Sequence, residues 1–391
     1  MDTFDVVVVG GGPTGENVAA RAVRGGLTAA LVEHELIGGE CSYWACMPSK
    51  ALLRGTEVLT EARAVDGAKQ AVSGEQDVAA TLARRDSFAS RWDDAGQVEW
   101  VRGAGIELIR GVGRLAGERT VVVDTEDGEV RLTARHAVAV CTGSEAAIPP
   151  VEGLDTVGAW TPRDATSAKE PPARLLILGG GYVGCEMATA WSALGSQVTL
   201  FQRGERLLEG LEPAAAEAVT ASLRARGVDV RLECEITAAH RDGAEVVATT
   251  SAGKLRGDEL LVAVGRRART SDLGVETVGL EPGEYLDVDA TMQVAGLPWL
   301  YGVGDVNGRR QLTHMGKYQA RQAGAAIVAR ATGQDVDTSD WSPSAAGRAP
   351  ATWAWRPSAW SPGRTSTSTA RCRCGACPGS TASVTSTAGA S

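Results

Sequence analysis

One pattern occurs twice in this chain and fixes most of what it can fold into: an apolar strand, a turn with spaced glycines, a helix and a second short strand. The first copy reads Phe4-Asp5-Val6-Val7-Val8-Val9, then Gly10, Gly12, Pro13 and Gly15, a helix over 17–25, and Ala29-Ala30-Leu31-Val32-Glu33. The second reads Leu175-Leu176-Ile177-Leu178, then Gly179, Gly181 and Gly184, a helix over 186–194, and a strand over 197–201. Continuous apolar strands belong in a parallel sheet covered on both faces. A GxGxxG turn between strand and helix lets a pyrophosphate lie on backbone N–H groups at the helix N-terminus, where only glycine permits close approach. The chain is therefore expected to be α/β, with two Rossmann-like dinucleotide-binding domains.

The remaining segments fit that plan. Residues 50–95 read as helical, and 121–140 as a strand meander ending in Thr142-Gly143-Ser144. Leu260 to Val264 is another buried strand, leaving through Gly265-Arg266, and Leu300-Tyr301-Gly302-Val303-Gly304-Asp305 is a further one, followed by a helix over 311–332. At 391 residues the chain exceeds what one hydrophobic core supports. The 39 Lys and Arg against 48 Asp and Glu argue against a nucleic-acid or anionic membrane surface. The first apolar run is too short to span a bilayer and lacks the flanks of a secretion signal, so a cytoplasmic protein is expected.

The two units differ at one informative position. Glu33 lies 18 residues past Gly15 and suits ribose hydroxyls; 18 residues past Gly184 stands Gln202. With Arg203 adjacent and Arg206 close by, the second site can accept a 2′-phosphate and has lost the carboxylate that would repel it, which favours NADP over NAD. Two solvated arginines in a loop are the competing explanation.

Eight cysteines without a secretion signal do not suggest a structural disulfide framework. Cys141, Cys185 and Cys234 sit among Val, Ala and Leu as small buried hydrophobes. Cys41 and Cys46 have a different context: Gly38-Gly39-Glu40-Cys41-Ser42-Tyr43-Trp44-Ala45-Cys46-Met47-Pro48-Ser49-Lys50. If this segment starts a helix, two thiols five positions apart can approach near its first turn. The positive helix end and Lys50 then favour a reactive thiolate. A metal site is the alternative, but no companion His or Cys cluster is evident before residue 341.

This segment resembles the active site of the class I pyridine nucleotide-disulfide oxidoreductases, which include dihydrolipoamide dehydrogenase, glutathione reductase and mercuric reductase. The resemblance covers residues 1 to about 335. It implies FAD and NAD or NADP as cofactors, and electrons passing between nicotinamide, flavin and a Cys41–Cys46 redox disulfide. Cys41 would be the interchange thiol and Cys46 the charge-transfer thiol against the flavin. Lys50 would sit by the flavin N5 and pair with Glu186, and Tyr182 would gate the nicotinamide pocket. Asp305 would hold the ribityl chain, and Thr142-Gly143-Ser144 would lie near the adenosine half. Helix-end acid and packing aromatic remain the simpler accounts of Glu186 and Tyr182. The implied domains are a discontinuous FAD domain, 1–150 and 285–340, with the NAD(P) domain inserted at 151–284.

Two departures stand out. Ser42-Tyr43-Trp44-Ala45 replaces the family's small or polar residues between the thiols, so a disulfide acceptor is implied without its identity. Residues 341–391 contain no Asp, Glu, Lys, Leu, Ile, Met or Phe, which leaves net charge −14 on residues 1–340 against −9 overall. Such a composition cannot supply a packed core, so a disordered tail from a shifted reading frame is expected in place of the dimerisation domain. The family's His–Glu pair and homodimer contact would then be missing. Cys372, Cys374 and Cys377 invite comparison with mercuric reductase or a zinc knuckle, but their surroundings give no sign of a fold. The alternatives to a dihydrolipoamide dehydrogenase-like enzyme are a mercuric reductase-like one, or a truncated dinucleotide-binding relative without disulfide turnover. A low-molecular-weight thioredoxin reductase would need a CxxC in the second unit.

Overall fold

The computed structural model describes residues 2–336. The expected tail over 341–391, with its three cysteines, lies outside the described residues. Strand β1 (Asp2–Val9) leads through the first glycine turn to helix α1 (Pro13–Arg24) and strand β2 (Ala29–Glu33). Helix α1 begins at Pro13 rather than near Asn17, because proline at the first helical position gives up only an N–H that would be unpaired and brings a preset φ. Four helices come next: α2 (Gly39–Tyr43), α3 (Cys46–Ala64), α4 (Val78–Phe88) and α5 (Ala95–Gly103). Strands β3 (Glu107–Arg110), β4 (Val112–Leu115), β5 (Thr120–Thr125), β6 (Gly128–Val140) and β7 (Ser144–Ala146) complete this part.

Helix α6 (Pro162–Ser167) opens the second unit, followed by β8 (Arg174–Leu178), α7 (Tyr182–Ala193), β9 (Gln197–Phe201), α8 (Pro213–Ala225) and β10 (Asp229–Arg231). An antiparallel meander, β11 (Ile236–Asp242), β12 (Glu245–Thr250) and β13 (Gly253–Gly257), precedes β14 (Glu259–Val262). The chain then returns through β15 (Arg266–Ala268) and β16 (Leu300–Gly302) to helix α9 (Thr313–Ala331).

The first sheet has the order β3-β2-β1-β6-β5-β4, and β16 also pairs with β6. Its β1, β2, β3, β6 and β16 pair in parallel, while β4, β5 and β6 form the antiparallel meander. The second sheet, β10-β9-β8-β14, is parallel throughout. The architecture is thus α/β with two Rossmann-like units, the first discontinuous and the second inserted into it.

Three cores result from this layering. Val6 to Val9, Val138, Val140 and Leu300 anchor the first. Leu175, Ile177, Leu200 and Trp191 fill one face of the second sheet, joined there by Leu52 of α3 and Leu82 of α4. Leu154, Leu176, Phe201 and Val262 fill its other face. The return to the first unit comes earlier than residue 285: β15 already pairs with β7, and Leu273 and Val275 are buried in the first core. Leu273 lies in a turn and Val275 opens a short 3-10 helix, Val275–Val278, without strand or helix periodicity, which hides the crossing in the sequence. Among the described residues, no helix is long and apolar enough to cross a membrane.

Candidate active site

The two glycine turns are alike in their constraints. Gly10 and Gly179 have φ +105° and +112°, and a Cβ on either would lie 2.4 Å from the carbonyl oxygen of Cys141 or Ala263. A Cβ on Gly15 or Gly184 would lie 1.9 Å from the carbonyl oxygen of Gly10 or Gly179, so each helix can start only against bare backbone. Glu33 Oε2 accepts the Gly11 N–H at 2.7 Å, and Gln202 Oε1 accepts the Gly180 N–H at 3.0 Å. The side chain ending the second strand therefore closes the turn in both units.

Beyond the first turn lies a cavity of about 380 Å³, lined by Gly10, Gly12, Pro13, Glu33, Cys41, Thr142, Gly143, Ser144 and Asp305 among others. Glu33 is buried, yet hydrogen bonds from His34 and from the Glu35 and Gly11 N–H groups outweigh the desolvation and hold its carboxyl below the usual range. Burial pushes the Asp305 carboxyl upward, opposed by the Ser144 hydroxyl, which donates to its Oδ2 at 2.7 Å. Arg266, directly after Gly265, donates to both the Ser144 hydroxyl and its carbonyl. The Thr142 hydroxyl donates to the Arg269 carbonyl at 2.8 Å.

Cys41 lies in α2 and Cys46 opens α3, with the non-helical pair Trp44–Ala45 between them. The thiol segment is thus broken rather than one continuous helix start. Ala45, with ψ −96°, ends the first turn and lets a new N-terminus begin at Cys46. Both cysteines are free thiols, joined by a side-chain hydrogen bond. That bond holds the Cys46 thiol down to about 6 against its desolvation, helped by Thr313 and the Lys50 charge, while it and burial push Cys41 up. Thr313 Oγ1 at the start of α9 stands 3.3 Å from Cys46 Sγ. Cys46 is accordingly the more readily ionised thiol of the two.

Lys50, one turn along α3, donates to Glu186 Oε1 at 2.6 Å. Glu186 sits in α7, which begins at Tyr182 rather than at Glu186, so the acid lies past the first helical residues and is there to meet the lysine. Tyr182, 63% exposed, stands at the front of the same helix, where Gly181 leaves open space. At the end of β9 the amide Nε2 of Gln202 donates to Glu209 Oε1 at 2.9 Å, and Arg206 donates to the Glu209 carbonyl. Arg203 is exposed beside them. The second site has thus not lost its carboxylate; one is delivered from seven residues farther along.

The second-unit residues Gly179, Gly181, Tyr182, Gly184, Gln202 and Arg203 do not line the first cavity, whereas Cys41 does. Thr313, Glu209 and Arg163 escape sequence reasoning. Thr313 opens the expected closing helix right after the Asp305 turn, a signal that was there to use. Glu209 and Arg163 meet their partners only through tertiary packing.

A family model described as pyridine nucleotide-disulphide oxidoreductase matches residues 4–324. Dihydrolipoyl dehydrogenase 3 of Pseudomonas aeruginosa is 35% identical over 331 residues, covering 82% of this chain and 70% of that protein. Mercuric reductase of Acidithiobacillus ferrooxidans is 32% identical over 316 residues, covering 79% of this chain and 57% of that protein. In fold, the chain matches the Cu(II) complex of the HOCl-induced flavoprotein disulfide reductase RclA from Escherichia coli, with TM-score 0.75 at 23% identity. That match covers 84% of this chain and 71% of the other.

Proposed function

We propose, for a chain that belongs to the pyridine nucleotide-disulphide oxidoreductase family, that the Cys41–Cys46 pair is its redox centre and that residues of both dinucleotide units serve it. The enzyme is a flavoprotein oxidoreductase that uses a pyridine nucleotide. The single observation that carries the reading is the Lys50–Glu186 ion pair. It ties the helix bearing Cys46 to the first helix of the second dinucleotide unit, so the thiols and the nicotinamide site meet at one point.

The residues present fit FAD in the first unit. The glycine turn leaves backbone that a Cβ would block, Glu33 stays anionic at the end of β2 for ribose hydroxyls, and half-buried Asp305 lines the same cavity. Gly10, Gly12, Pro13 and Gly15 would receive the pyrophosphate; Thr142, Gly143 and Ser144 would line the path toward Asp305. FAD, when bound, supplies a two-electron carrier between nicotinamide and thiols.

The chain's own groups then divide the proton work. Thr313 and Lys50 stabilise the Cys46 thiolate, and Cys41 keeps its proton until it attacks an acceptor disulfide, when the acceptor's S–S bond breaks and the departing sulfur takes up that proton as a thiol. Glu186 orients the Lys50 ammonium, and Tyr182 covers the nicotinamide side until a ligand displaces it. Gly179, Gly181, Gly184 and the Gly265 exit would frame the second dinucleotide. NADPH is the proposed donor, through Arg203 and Arg206, with Glu209 limiting the preference. The acceptor is a disulfide or a soft metal ion of the kind named for the mercuric reductase relative.

Purified protein should be yellow, and anaerobic NADPH should raise a long-wavelength thiolate-to-flavin absorbance. Protein that takes up no FAD, or that shows no such band with Cys46 intact, would overturn the proposal.

A further inference from the structure

The two thiols are borne by different helices, and their separation depends on the Trp44–Ala45 link. Three contacts from α6, the helix that opens the second unit, and two backbone hydrogen bonds within the segment hold that link. Arg163 Nε meets Glu40 Oε1 at 2.5 Å, and Glu40 immediately precedes Cys41. The same guanidinium lies 4.0 Å over the Trp44 ring. The Thr166 hydroxyl donates to the Trp44 carbonyl at 2.7 Å. From the other side, the Glu40 carbonyl accepts both the Trp44 and Ala45 N–H groups. Arg163 is itself fixed by a bidentate contact with Glu35, each distance 3.0 Å. Helix α6 in turn is held by buried Arg85, which donates to the Thr166 and Ala168 carbonyls.

We propose that Arg163 is a positioning residue for the thiol pair, gripping the segment at Glu40 and at Trp44 so that Cys41 and Cys46 stay within reach of each other. This rests on the redox role assigned to that pair above. A planar guanidinium is suited to the task, because it can stack on an indole with one face while its edge hydrogen bonds carboxylates; a lysine can supply charge but not the fork. Glu40 is also approached by Arg266 and Arg269, at 3.4 and 3.6 Å, so its charge stays compensated without Arg163. What Arg163 alone supplies is the cation stacked on the Trp44 ring. A pair held within bonding range has a high effective concentration, and loosening the link lowers it.

The consequence is measurable as an equilibrium: Cys41 and Cys46 thiols plus one oxidised glutathione give the intramolecular disulfide plus two reduced glutathiones. The full-length flavoprotein is equilibrated over a range of glutathione ratios, acid-quenched and alkylated, and the peptide carrying both cysteines is weighed. Arg163→Gln should shift the balance toward the dithiol by about tenfold, ~30 mV for a two-electron couple. R163K should recover part of the shift, and W44L should reproduce it without adding to it in the double variant, since both remove the same contact. E40Q, which keeps the stacked guanidinium, should move the equilibrium less than R163Q.

An R163Q protein that melts earlier yet keeps the wild-type equilibrium would reduce Arg163 to a structural role and overturn the inference. So would additive effects of R163Q and W44L. Should R163Q fail to fold, R163K and W44L decide between the same two outcomes. A wild-type protein that forms no Cys41–Cys46 disulfide at any glutathione ratio would instead remove the redox reading, and this inference with it.

Discussion

The two glycine turns of this molecule are close to copies, yet they carry different duties. Each has a left-handed first glycine, a third glycine packed against the carbonyl of the first, and a strand-end side chain that accepts the N–H of the glycine after the first. The backbone device is generic, and the segment after the second strand of each unit decides its use. After β2 the chain goes straight into Gly38-Gly39 and the thiol helix, with Gly39 so close to the Gly12 backbone that a Cβ there would come within 2.8 Å of its Cα. After β9 it goes instead into an arginine-bearing loop that closes with Glu209 on Gln202. In the proposed function, chemistry belongs beside one turn and nucleotide selectivity beside the other, and the Lys50–Glu186 bridge joins the two units.

The largest test of that division is Cys46→Ser. Removing the thiolate should lower turnover with a disulfide acceptor by at least ~10³-fold, while bound FAD and reduction by NADPH in a stopped-flow trace survive. Equal loss of both half-reactions would contradict the separation of roles.

Next in size is a crossed pair of glycine substitutions. Gly15→Ala and Gly184→Ala introduce the same 1.9 Å clash in equivalent places, an overpacking of about 3 kcal/mol and so roughly 100-fold in affinity. G15A should purify colourless and regain flavin only at high FAD concentration. G184A should stay yellow and show a raised KM for NADPH. If both variants lose flavin, the turns do not bind separate ligands.

The contrast between the units also explains how much the sequence could disclose. Local pattern carries the strands, both glycine turns and the closing helix, because β-branched runs and fixed glycine spacing are properties of neighbouring residues. It carries Lys50 and Glu186 only through resemblance, since 136 positions separate them. The break at Trp44–Ala45 is invisible in the sequence because no glycine or proline marks it; the turn is made by tertiary contacts to α6. Glu209 is hidden for a similar reason: a glutamate in a loop looks solvated until Gln202 is seen to reach it. The return at Gly265 is obscured because the 3-10 turns beyond it have no periodicity to read.

Cutting the bridge between the units should have an effect of middle size. The Cys46 thiolate exists above its depressed pKa and is lost as pH falls through about 6. Lys50 lowers that value by its charge, so Lys50→Met should raise the midpoint of the thiolate-to-flavin absorbance by ~1 pH unit, leaving about fivefold less thiolate at pH 6. Thr313→Val should move it in the same direction by at least as much, because the Thr313 hydrogen bond lowers the Cys46 thiol more than the Lys50 charge does. A midpoint unmoved by both would leave the Cys41 thiol as the one group holding the charge on Cys46.

The smallest effect lies at the other unit and tests whether selectivity is confined there. Glu209 puts a carboxylate against Gln202 where a 2′-phosphate would approach, while Arg206 is held by the Glu209 backbone carbonyl and not by its side chain. Glu209→Ala therefore removes a repelling charge without freeing Arg206. Exposed charges of this kind are worth up to ~1 kcal/mol, so the NADPH-to-NADH ratio of kcat/KM should rise by about fivefold. Gln202→Glu should lower the ratio by a similar factor, since it places a second carboxylate at the position Glu33 holds in the first unit. Neither change should move the FAD content or the Cys46 midpoint. If E209A leaves the ratio unchanged, the loop after β9 does not set the nucleotide choice, and the asymmetry between the two turns lies in the thiol segment alone.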